Sequence, residues 1–71
     1  MDYTPKIKKV LAIINENKDI RDVNVYDIML WLGTTQYVVA KTVLTALVRK
    51  GILKKESNQF VVVGREYDNG G

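Results

Sequence analysis

The sequence predicts an α+β domain in which three helices are followed by a C-terminal two-stranded β-hairpin. Three observations predict it. Apolar residues recur at helical spacing in three separate stretches: Ile7, Val10, Leu11 and Ile14; Val25, Ile28, Met29 and Leu32; and Ala40, Val43, Leu44 and Leu47. Glycines punctuate the ends of the second and third stretches, at Gly33 and Gly51. Beyond Gly51 the apolar period shortens to that of a strand. Ile52-Leu53-Lys54-Lys55 and Gln59-Phe60-Val61-Val62-Val63 flank the polar turn Glu56-Ser57-Asn58.

Thr4 is the candidate cap of the first helix. Pro5 follows at the first helical position, where its missing N–H costs nothing. That helix runs to about Asn17. Ile13 lies off its apolar stripe and either widens the core face or meets a partner. The connector from Lys18 to Val23 holds Asp19 and Asp22, which lack the oxygen-rich neighbours of a cation site and read as a solvated loop. Asn24 caps the second helix, with Asp27 in the capping-box position. Tyr26, Leu30 and Trp31 make this helix apolar on nearly all sides. Trp31 is thus either an interface anchor or a packing partner of the first helix.

The third helix spans about Thr35–Lys50. Thr34 or Thr35 caps it, Gly51 closes it, and Arg49 and Lys50 place positive charge where the helix dipole favours it. In the hairpin, Phe60 and Val62 share one face, with Val61 and Val63 on the other. Gly64 ends the strand, giving a single domain over 1–64. The polar, glycine-ended stretch 65–71 reads as a disordered tail.

Composition narrows the function. Seventy-one residues make one small domain with little room for a substrate pocket. The chain has neither cysteine nor histidine, so disulfides, thiolate metal sites and histidine general bases are excluded. With no paired carboxylates and no glycine-rich phosphate loop, we expect no enzyme, cofactor, metal or small-molecule substrate. No apolar run is long enough for a membrane span and no signal-peptide pattern opens the chain, so a cytoplasmic location is expected. The net charge of +3 is unevenly placed. Residues 1–33 balance. Residues 34–65 carry Lys41, Arg49, Lys50, Lys54, Lys55 and Arg65 against Glu56 alone. Such a patch is either a phosphate-binding surface or a solvated basic face.

The outward face of the third helix carries Gln36, Tyr37, Lys41, Thr42, Thr45 and Arg49 and no carboxylate. Such a face suits the major groove of DNA, where these side-chain types meet base edges and phosphates.

The run from Asn24 to Leu53 resembles the winged helix-turn-helix domain of small bacterial, archaeal and viral transcription regulators. Asn24 to Gly33 looks like that family's second helix with its Leu-Gly turn. Leu44-x-x-Leu47-x-x-x-Gly51-Ile52-Leu53 looks like the end of its recognition helix running into the wing. The resemblance covers about residues 5–63. It implies a short strand near Val23 pairing with the hairpin, and binding to double-stranded DNA; the small domain and the apolar excess around Leu30 and Trp31 point to a homodimer. Thr35, Gln36, Tyr37, Lys41, Thr42 and Thr45 would then face bases or nearby phosphates. Arg49, Lys54, Lys55 and Asn58 would hold the flanking backbone. The alternative is a protein-docking module, since winged domains serve that role too.

Overall fold

The computed structural model describes residues 2–65. The chain forms α1 (Thr4–Glu16), α2 (Val25–Leu32), α3 (Tyr37–Arg49), β1 (Leu53–Glu56) and β2 (Gln59–Val62). This is the expected α+β order, three helices and then a hairpin, in a winged-helix arrangement. The tail expected over 65–71 lies outside the described residues except for Arg65.

The start of α1 differs from expectation. Thr4 is already helical, and the Asp2 carboxylate accepts its N–H at 3.0 Å. That bond from the Thr4 backbone holds the Asp2 carboxyl below its ordinary pKa of 3.8. Thr4 is therefore the first helical residue rather than the cap: its own N–H is one of the free first-turn amides, and a nearby carboxylate is a strong acceptor for it. At the other end, α1 is closed from a distance. The Arg65 guanidinium donates to the carbonyls of Ile14, Asn17, Lys18 and Ile20. A single cation thereby satisfies carbonyl groups at the end of α1 and in the loop beyond it.

α2 begins as the sequence indicates. Asn24 Oδ1 accepts from the Asp27 N–H at 2.9 Å, and Asp27 Oδ2 accepts from the Asn24 N–H at 2.9 Å. Its last turn is closed by Gly33, at φ 66°, which donates to Leu30 O, while Thr34 donates to Met29 O. The expected threonine cap of α3 is not formed. Thr34 Oγ1 accepts the Gln36 N–H at 3.1 Å, which closes a short turn before the helix instead. Gln36 takes the cap position without a side-chain bond, so Thr35 and Gln36 both precede α3. Gly51, at φ 83°, ends α3 as expected. It donates to Val48 O, and Ile52 donates to Leu47 O.

The core forms where the helical stripes meet. Val10, Ile14, Ile28, Ala40, Val43 and Leu47 are fully buried. Leu11, Val23, Val25, Leu44, Ile52 and Leu53 complete the same cluster. Trp31 is half-buried and packs against this cluster. Leu30 is left out of it and is 78% exposed.

β1 and β2 pair antiparallel, with Leu53 opposite Val62, Lys55 opposite Phe60 and Glu56 opposite Gln59. Ser57 and Asn58 make the turn, and Ser57 sits at φ 56°. On its other edge β2 meets the loop after α1. Asp22 bridges to Val61, the Val23 N–H donates to Phe60 O and the Val62 N–H donates to Arg21 O. The expected pairing of Val23 with the hairpin is therefore present, and β2 is held from both sides.

Gly64 packs against backbone. A Cβ there would stand 2.8 Å from Gly51 O, and the Val63 and Gly64 N–H groups both bond to Ile52 O. Neither backbone segment can move aside without losing those bonds. Gly64→Ala should cost about 1–3 kcal/mol, lowering the melting temperature by roughly 4–8 °C per kcal/mol. A thermal melt followed by circular dichroism measures it, and an unchanged midpoint would show that the two segments separate freely.

Candidate nucleic-acid interface

Burial of Ala40, Val43, Leu44 and Leu47 fixes how α3 is rotated. The opposite face must then point outward, because these positions follow one helical stripe. Along it runs an open groove of about 480 Å³ lined by Tyr37, Val38, Lys41, Thr42, Thr45, Ala46 and Arg49. This lining contains two cations and no carboxylate among the described residues. Five of the expected site residues on α3 thus share one surface. Thr35 and Gln36 are exposed just ahead of it. Thr42 contributes less than expected, since its hydroxyl donates to Val38 O at 2.9 Å.

A second cleft, of about 410 Å³, opens where α3, the start of α2 and the hairpin converge. Lys41 and Tyr37 reach it from α3, Tyr26 from α2, and Lys55, Asn58 and Phe60 from the hairpin. Lys41 and Tyr37 line both spaces, so the two form one continuous surface. Asp22 is the one carboxylate in the cleft lining among the described residues.

The hairpin divides its two lysines. Pairing Lys55 with Phe60 and Leu53 with Val62 puts these four on one pleat face, and Lys54 and Glu56 on the other. Lys55 Nζ lies 5.9 Å from the Phe60 ring centroid, at the edge of cation–π range, and faces the cleft. Lys54 Nζ instead lies 3.9 Å from Glu56 Oε2. Both of those side chains are well exposed, so the pair adds little stability, but it offsets the local charge.

Two other cations leave the expected patch. Arg65 is committed to the carbonyls at the end of α1. Lys50 lies beside Thr4, Ile7, Lys8 and Leu11 of α1. Lys41, Arg49 and Lys55 are the cations that line the two spaces. Tyr26 and Gln59 also join the surface, although the sequence did not single them out for it. The signal for Tyr26 was its place on an otherwise apolar helix, off the buried stripe and two residues after the cap.

No family model, curated protein or solved structure matches this chain. No described helix is long and apolar enough to cross a membrane. Among the described residues no cluster of three or more His, Cys, Asp or Glu could hold a metal ion.

Proposed function

We propose that this chain binds double-stranded DNA as a transcription regulator, with α3 in the major groove and the hairpin against the backbone. The observation that carries the proposal is the outward face of α3, where Lys41, Thr45 and Arg49 line one open groove free of carboxylates. A duplex presents phosphates on either side of a groove about as wide as a helix, and cations along one helix face meet that pattern. The uncapped start of α3 supports it, because free first-turn amides and the positive dipole end favour an anion. No acidic residue stands in that first turn. The resemblance to winged helix-turn-helix regulators points the same way.

Specificity belongs to Gln36 and Lys41 in this reading. A glutamine can pair with adenine and a lysine with guanine, whereas alanine can do neither. Gln36→Ala and Lys41→Ala should each cost about 1–3 kcal/mol at a preferred site selected from random DNA, and much less on random duplex. Neither change touches the buried stripe, so circular dichroism should be unchanged. Competition titration on both duplexes decides it. Wild-type discrimination in both variants would remove α3 as the reading element.

The pleat separates the lysines in a way that binding can report. Lys55→Ala should weaken binding to all duplexes alike and lower the slope of log K against log salt by about one. Lys54→Ala should leave that slope nearly unchanged, because Lys54 points to the other face and pairs with Glu56. Equal slopes for the two variants would contradict this division.

A second reading, contact between protein surfaces, is favoured by Leu30 and Val38, which are 78% and 71% exposed. A homodimer joined through the outer side of α2 would cover Leu30 while α3 stayed on DNA. Sedimentation equilibrium at micromolar concentration should then give a dimer that Leu30→Lys dissociates. A monomer both free and on DNA would exclude that assembly.

A further inference from the structure

Tyr26 and Tyr37 are 69% and 47% exposed, although phenol rings are costly to leave in water. Their centroids lie 6.3 Å apart at 61°, so the edge of one ring meets the face of the other. An edge-to-face pair leaves flat ring surface uncovered, and both rings line the cleft between α3 and the hairpin. Lys41, Lys55 and Asn58 line the same cleft. Intact duplex cannot use such ring faces, because its own base faces are stacked and only base edges reach the grooves. An unpaired base has a free face, and stacking on an aromatic side chain beside a cation suits it whatever its identity.

We propose that this cleft takes an unpaired nucleotide, its base stacked on the Tyr26–Tyr37 pair and its phosphate against Lys55. Asp22 repels a phosphate at its own side of the cleft, which assigns the phosphate to the hairpin side and Lys55. The inference rests on the reading that the basic face of α3 meets DNA. It adds that the preferred DNA carries a short single-stranded stretch beside its duplex.

Fluorescence anisotropy with three labelled DNAs tests it: a blunt duplex, the same duplex with a short unpaired thymidine extension, and the single strand alone. The wild-type chain should bind the extended duplex roughly tenfold more tightly than the blunt one. Tyr26→Leu keeps an apolar side chain but loses the aromatic face, so it should lose this advantage, and Tyr26→Phe should retain it. Circular dichroism of both variants confirms that they fold. Equal wild-type affinity for blunt and extended duplexes overturns the inference and leaves the duplex reading standing. An advantage that survives in Tyr26→Leu also overturns it. Binding of the extended or single-stranded DNA without the blunt duplex supports the cleft and overturns the duplex reading. Failure to bind any of the three, as expected for a surface that takes an acidic peptide instead, overturns both.

Discussion

The rotation of α3 about its own axis is the constraint on which the rest of this structure depends. A helix in a small domain can bury one stripe, and here Ala40, Val43 and Leu47 are buried completely. Turning α3 by even one position would move a lysine or a threonine into the core and expose a valine or a leucine. Burying an unpaired ammonium is far costlier than any surface contact could offset. The same burial that holds the domain together therefore aims Lys41, Thr45 and Arg49 outward. Stability and surface chemistry are two faces of one helix, set by a single angular choice.

The hairpin is positioned by a comparable economy of contacts. β2 bonds to β1 on one side and to Arg21 and Val23 on the other. Just beyond it, Gly64 lies against Gly51 and Arg65 reaches the carbonyls at the end of α1. Links to the hairpin thus come from the loop after α1 and from the turn after α3. This matters for the cleft, since Lys55 and Tyr37 belong to different elements and keep their relative placement only while those links hold. Charge is sorted by the same geometry: Arg65 is spent on helix closure, Lys54 is offset by Glu56, and Lys55 is left facing the cleft.

What could be read from the sequence was whatever local chemistry decides. The capping box at Asn24 and Asp27, the closures at Gly33 and Gly51, and the change of period after Gly51 all involve neighbours in the chain, and all are present. The helix starts at Thr4 and at Thr34 or Thr35 are also local, and each differs from expectation by a residue or two. Thr4 already sits inside α1 with its own N–H on the Asp2 carboxylate, and the Thr34 oxygen accepts from Gln36 before α3 begins. Arg65 could not be read at all, because its partners lie 45 to 51 residues away and nothing in its neighbourhood signals them. The split between Lys54 and Lys55 was legible in principle. Adjacent strand residues face opposite ways, so Lys54 and Lys55 stand on different pleat faces. The bond from the Thr42 hydroxyl to Val38 O is likewise a habit of threonine inside helices.

The order of the sheet leaves the outer edge of β1 without a strand partner among the described residues. An open edge is a template on which a second chain can add a strand, the first step toward a fibrous aggregate. β1 carries Lys54, Lys55 and Glu56 in succession, so an approaching copy in parallel register would meet its own charges at three of the four rungs. Lys54 and Glu56, which stand on the face away from the cleft, thereby acquire a use of their own. Like charges facing each other across the edge oppose the addition of a second copy, which a plain valine-rich edge would not.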